Sequence, residues 1–215
     1  MNIQTKETET NLIFTTEKIK PVHYVFNKPS HTVTETLIMT AVLVPGETIL
    51  ENCGQEPEID DLITLLNKMG GKIQREPTNP GKIIIQGVSS LIGTQHQVIC
   101  DRNEIVTFAC AALATKGSVN ILRADPKTVK TFLETIENMG AKVQTGEEEI
   151  YISWEKPLKA INVETGPEPA FMTDWQALFS ILLTQSVGCS SIIEKVYPSR
   201  FQHISNLQKM GAKVQ

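Results

Sequence analysis

The feature that most constrains this 215-residue chain is an internal repeat of about seventy residues. Three segments share one ending: Lys68-Met69-Gly70-Gly71-Lys72-Ile73, Asn138-Met139-Gly140-Ala141-Lys142-Val143 and Lys209-Met210-Gly211-Ala212-Lys213-Val214. A second landmark keeps the same step, with Gly46, Gly117 and Gly188 each closing an apolar helical stretch ahead of a β-branched run. Glycine at such a stop fits a left-handed cap, where lacking a Cβ removes the steric cost.

Within each repeat the hydrophobic period changes in a fixed order. Val22 to Phe26, Gln97 to Cys100 and Ala160 to Val163 read as short strands. Polar loops follow, then helical stretches at Thr32 to Val44, Asn103 to Thr115 and Asp174 to Ser186. Strands are expected again at Thr48 to Glu51, Ser118 to Leu122 and Ser190 to Glu194. Second helices follow, with Ile59, Leu62, Ile63 and Leu66, or Val129, Phe132, Leu133 and Ile136, at helical spacing. Strands at Lys72 to Gln74 and Lys142 to Gln144 then pair in hairpins with Lys82 to Gln86 and Glu149 to Ser153. The expected class is α/β, built from three βαβαββ units. An extra strand at Asn11 to Thr15 suggests circular closure onto the last strand.

Composition removes several function classes. Acidic residues number 24 against 20 basic, so no global positive field exists to hold nucleic acid or an anionic membrane. The longest apolar runs, such as Ala109 to Ala114, fall far short of the ~20 residues of a membrane span. Met1 to Thr10 lack the apolar core of a secretory signal, so a cytoplasmic protein is expected. Cys53, Cys100, Cys110 and Cys189 are widely spaced without zinc-ligand patterns, and Cys100 and Cys110 read as small buried hydrophobes.

Three motifs carry a resemblance: Ile49-Leu50-Glu51-Asn52 with Glu56-Pro57-Glu58-Ile59 and Asp61; Pro167-Glu168-Pro169-Ala170-Phe171-Met172-Thr173-Asp174-Trp175-Gln176-Ala177; and Ser199-Arg200-Phe201-Gln202-His203. Together they resemble the enolpyruvyl transferases, most closely the branch acting on UDP-N-acetylglucosamine, from about Glu9 to Gln215. The resemblance implies an inside-out α/β prism fold with three repeats per lobe. It implies that residues 1–95 form the end of one lobe and 96–215 the start of the other, closure of all three units into one lobe being the alternative. It also implies transfer of the 1-carboxyvinyl group from phosphoenolpyruvate to the 3-hydroxyl of UDP-N-acetylglucosamine in peptidoglycan synthesis, with neither metal nor organic cofactor. The family's Gly-Gly-Cys-like loop, amino-terminal Lys-Asn pair and late phosphate-binding arginine have no counterpart in this sequence. Two alternatives stand beside the transferase: a catalytically silent half-protein that binds UDP-sugar or a complementing chain, or self-associates, and a shikimate-pathway enolpyruvyl transferase.

Each candidate site residue has an ordinary structural reading. Asp174 follows Thr173, which with Gln176 makes a capping-box pattern, so its charge fits a helix N-terminus. By resemblance it is the base for the sugar hydroxyl. Arg200 reads as a solvated loop arginine; by resemblance it grips the carboxylate of phosphoenolpyruvate, which a planar guanidinium can hold with two parallel bonds. Lys28-Pro29-Ser30-His31-Thr32 leads into a helix, with Thr32 and Glu35 as a second capping box. By resemblance Lys28, Ser30, His31 and Thr32 contact the nucleotide diphosphate, and Val196 packs near the sugar nucleotide. Glu56 and Glu58 read as first-turn charge.

Overall fold

A computed structural model of the chain describes residues 4–16 and 18–215. Met1 to Ile3, part of the stretch read as lacking a signal, lie outside the described residues. The chain divides into two compact units, Met1–Val98 and Ile99–Gln215.

The first unit holds one complete repeat. Strand β3 (His23–Val25) leads to α1 (His31–Ala41), β4 (Glu47–Glu51), α2 (Pro57–Lys68), β5 (Lys72–Glu76) and β6 (Asn79–Gln86). The sheet order is β3-β4-β6-β5, with β3 parallel to β4 and the other pairs antiparallel. Ile83 and Ile85 alternate inward along β6 and meet Ile38 of α1, Leu50 of β4 and Ile59 of α2 in one core. Helix α2 begins with Pro57, carries Glu58 and Asp60 in its first turn and ends with Lys68, an order matching the helix dipole.

The amino-terminal strand departs from expectation. β2 (Leu12–Thr15) pairs antiparallel with β1 (Gln4–Glu7), and Lys213 to Gln215 form no strand. Closing a hairpin through Thr8 to Asn11 costs little chain entropy, and Thr8 accepts from and donates to Asn11 to fasten the turn. The expected circular pairing is therefore not the one formed.

The second unit holds two shorter repeats. In the first, α3 (Arg102–Ala114) leads to β7 (Ser118–Leu122), α4 (Lys130–Met139), β8 (Lys142–Thr145) and β9 (Glu149–Ser153), with sheet order β7-β9-β8. In the second, β10 (Asn162–Glu164) pairs parallel with β11 (Ser191–Ile193), flanking α5 (Gln176–Leu183) and followed by α6 (Ile204–Lys209). Phe132, Phe171, Trp175 and Phe179 pack ring against ring at centroid distances of 5.0 to 6.5 Å. Trp175 and Phe179 are at most 1% exposed, and burying each such side chain is worth roughly 1.5–3 kcal/mol. That burial anchors the short turn Thr173–Trp175 against the core.

Gln97 to Cys100 was expected as a strand and is not one. The polar groups just ahead of it bond to α2: His96 Nε2 lies 2.8 Å from Asp61 Oδ1, Lys68 Nζ lies 3.3 Å from His96 Nδ1, and Ile92 N donates to Met69 O. With its approach tied to a helix, this segment joins no sheet edge.

Five of the six repeat glycines take the left-handed conformation and Gly117 does not. Gly70, Gly140 and Gly211, after the shared methionine, all have positive φ, from 93° to 103°. Gly46 and Gly188 do too, at 109° and 111°, but Gly117 does not: Lys116 takes the left-handed position instead, at φ 59°.

Candidate functional site

Asp174 and Arg200 meet. The turn Thr173–Trp175 presents Asp174 just ahead of α5, because Trp175 is pinned in the core while Asp174 is exposed. Arg200 stands in the loop between β11 and α6, where its amide donates to Tyr197 O and its guanidinium lies over the Tyr197 ring at 5.2 Å. Arg200 Nη1 donates to Asp174 Oδ1 at 2.6 Å and to Thr173 Oγ1 at 3.1 Å. The two charged side chains are 40% and 42% exposed, so the pair contributes little to stability, about 0–1 kcal/mol. Its value lies in geometry. With Nη1 occupied, the Nε and Nη2 edge of the 40% exposed side chain has no partner among the described residues, and such an edge can hold a planar anion through two parallel bonds.

The expected capping boxes do not form. Thr173 belongs to the turn itself, whose N-cap Met172 makes no side-chain bond, and its hydroxyl serves Arg200 and Glu194. Gln176 is fully buried, and neither of its amide atoms has a hydrogen-bond partner among the described residues. At α1 the cap is Ser30, whose Oγ accepts from Val33 N at 3.4 Å, in place of Thr32. The reason is register: α1 starts at His31, so Thr32 is already helical.

Glu194 is a site residue that the sequence reading missed. It is 7% exposed, and its carboxylate collects four donors. Thr165 Oγ1, Val196 N and Tyr197 N reach Oε1 at 2.8, 2.8 and 2.9 Å, and Thr173 Oγ1 reaches Oε2 at 2.9 Å. Burial alone pushes the carboxyl's pKa up, but the bonds from Tyr197, Thr165, Thr173 and Val196 outweigh it and hold the pKa below the ordinary 4.5. A signal was present: two-residue alternation along β11 puts Glu194 on the inward side with half-buried Ile192.

Val196 sits in the turn that Glu194 organises and is 37% exposed. His203 Nε2, just ahead of α6, lies 2.9 Å from Ser180 Oγ. Ser180 Oγ also lies 2.7 Å from Ala177 O, to which it can donate, and it then accepts from His203 in the tautomer that carries the proton on Nε2. Burial holds the His203 pKa below its ordinary 6.5.

Lys28, Ser30, His31 and Thr32 gather at the start of α1 in the first unit. Lys28 and Thr32 are exposed, and His31 Nε2 lies 3.1 Å from Glu35 Oε1 one turn on. Asp174, Arg200 and Val196 belong to the second unit. The surface hollow lined by Asn67, Lys72, Ile73, Gln74, Ile84 and Gln86 includes none of these residues.

Buried Cys53 and Cys110 are poor nucleophiles, since burial pushes their thiols up to about 11 and about 12. Among the described residues no cluster of His, Cys, Asp or Glu is arranged to hold a metal, and no helix is long and apolar enough to cross a membrane.

A family model described as EPSP synthase (3-phosphoshikimate 1-carboxyvinyltransferase) matches residues 1–215. The chain belongs to this family. Among curated members it is 39% identical over 199 residues to the UDP-N-acetylglucosamine 1-carboxyvinyltransferase of Shewanella halifaxensis, and 40% identical over 199 residues to that of Shewanella sediminis. In both cases 92% of this chain is covered and 47% of the relative, so the chain spans about half the length of the relatives it matches. Among solved structures, the enolpyruvyl transferase NikO from Streptomyces tendae is similar with a TM-score of 0.81 at 20% identity, covering 96% of this chain and 52% of that one. EPSP synthase from Acinetobacter baumannii matches with a TM-score of 0.66 at 21% identity, covering 97% and 49%. The fold is thus the α/β enolpyruvyl-transferase fold.

Proposed function

We propose that this chain carries part of an enolpyruvyl-transferase site, specific for UDP-N-acetylglucosamine and phosphoenolpyruvate. The observation that supports it most is the Arg200–Asp174 pair at the head of α5, which sets an anion fork and a carboxylate side by side. In this reading the carboxylate of phosphoenolpyruvate takes the open Nε and Nη2 edge of Arg200 through two parallel hydrogen bonds. Asp174, held by Nη1, lies next to the bound carboxyvinyl group, where it accepts the proton of the sugar 3-hydroxyl as that oxygen adds to the enol carbon; loss of phosphate from the adduct then leaves the 1-carboxyvinyl ether. Positioning supplies much of its effect. In the second unit Val196 is the residue proposed to border a sugar; in the first unit, taken by itself, Lys28, Ser30, His31 and Thr32 offer a cation, hydroxyls and helix N–H groups to a diphosphate. The setting on this reading is cytoplasmic peptidoglycan synthesis.

A second reading is a catalytically silent half that binds UDP-sugar or a partner chain. The shikimate-pathway alternative has less support, because the relatives at 39–40% identity carry the UDP-N-acetylglucosamine name. Phosphate release from phosphoenolpyruvate, with UDP-N-acetylglucosamine or shikimate 3-phosphate as acceptor, separates the three. Turnover by the chain alone with the sugar nucleotide supports the first reading, binding without turnover supports the second, and turnover with shikimate 3-phosphate supports the third.

A further inference from the structure

Glu194 does more than close a turn. Three donors converge on its Oε1, from Thr165, Val196 and Tyr197, whereas among the described residues Oε2 receives only the Thr173 hydroxyl, at 2.9 Å. Thr173 has one hydroxyl proton, and the carboxylate takes it. The lone pairs of Thr173 Oγ1 are thereby left for Arg200 Nη1, 3.1 Å away. The other threonine obeys the same rule: Thr165 gives its proton to Glu194 and accepts from Lys195 N at 3.0 Å.

We propose that Glu194 is a positioning residue for Arg200: by taking the Thr173 hydroxyl proton it keeps that proton off the Arg200 side and leaves the Oγ1 lone pairs open to the guanidinium. A line of hydrogen bonds then runs outward from Arg200, which donates both to Asp174 and to Thr173, and on from Thr173 to the buried Glu194. Its meaning for ligand binding rests on the reading of Arg200 given above; the geometry does not.

The isosteric change Glu194→Gln isolates the effect. The three donors at Oε1 require an oxygen there, so the amide nitrogen takes the Oε2 place and donates to Thr173. The threonine proton then has no carboxylate to receive it and competes with Arg200 for the open side of Oγ1. The negative charge one hydroxyl away from the guanidinium is also gone.

The test uses the full chain without ligand and reads the guanidinium 15N–1H signals of Arg200 by NMR, assigned by their loss in Arg200→Ala. The expected result is a resolved, slowly exchanging Nη1 signal in the wild-type chain and in Thr173→Ser. In Glu194→Gln and Thr173→Val that signal should be lost into the averaged arginine envelope. A purely structural Glu194 would lower the melting temperature of Glu194→Gln and leave the Arg200 signal in place, which overturns the proposal. Thr173→Val leaves three of the four Glu194 donors intact, so if Glu194→Gln does not fold, an unchanged Arg200 signal in Thr173→Val still overturns it. No substrate enters the experiment, so its failure is distinct from failure of the transferase reading.

Discussion

Arg200 Nη1 lies 2.6 Å from Asp174 Oδ1, joining residues 26 positions apart in the third repeat. The contact is half exposed, so its energy is small, and its effect is to aim the rest of the guanidinium. We predict that Arg200→Ala changes folding stability by less than about 1 kcal/mol yet removes measurable phosphoenolpyruvate binding. Chemical denaturation and a ligand titration read the two effects separately. Arg200→Lys should also bind poorly, because an ammonium cannot make the two parallel bonds.

A second charged pair behaves in the opposite way. Arg102 is 0% exposed, and its Nη1 donates to Glu168 Oε2 at 2.7 Å and to Thr128 O at 3.3 Å. Its guanidinium also lies 6.0 Å from the Trp175 ring centroid, so it braces the turn that carries Asp174. Breaking a buried pair leaves an uncompensated charge, and Glu168→Gln should cost about 3–5 kcal/mol in urea unfolding. A loss below about 1 kcal/mol, the range of exposed pairs, would contradict that role.

Stability should fall on acidification in two stages. His203 and Glu194 both have folded pKa values below their ordinary ones, so the unfolded chain binds more protons and stability drops with falling pH. The His203 contribution is full above its unfolded value near 6.5 and fades as pH falls through its folded value. The Glu194 contribution is full above about 4.5 and fades at more acid pH. Melting temperature against pH should lose the first stage in His203→Phe and keep the second.

The left-handed glycines and Gly117 predict opposite outcomes for one substitution. Gly140→Ala forces a side chain into φ 103°, with Lys156 Cε 3.1 Å from the new Cβ, and should cost about 1–2 kcal/mol. Gly117→Ala meets nothing closer than 3.5 Å at ordinary φ and should stay within about 0.5 kcal/mol. Lys116→Gly should stabilise by about 1 kcal/mol, since Lys116 holds the left-handed position there. Thermal unfolding of the three variants checks the set.

Strands β7 and β9 were legible to the residue, because alternation and glycine stops are local signals that packing did not override. The meeting of Asp174 and Arg200 was legible only through the repeat and the resemblance, since neither residue has a periodic signature. Gln97 to Cys100 misled because β-branched residues describe a strand's faces and not whether an edge is free to pair. Ser30 displaced Thr32 as cap because a helix boundary shifts by one or two residues without changing the pattern. Glu194 escaped because a charge at a strand end is usually solvated, and only the four donors around it show that burial is tolerated.

The most direct measurement is a titration of the 13C-labelled chain with phosphoenolpyruvate, then UDP-N-acetylglucosamine, following the carboxyl of Asp174 and the guanidinium of Arg200. Saturable shifts at both groups, abolished in Arg200→Ala, are the predicted result. Binding that leaves both signals unmoved, or no binding of either compound, would contradict a ligand site at this pair.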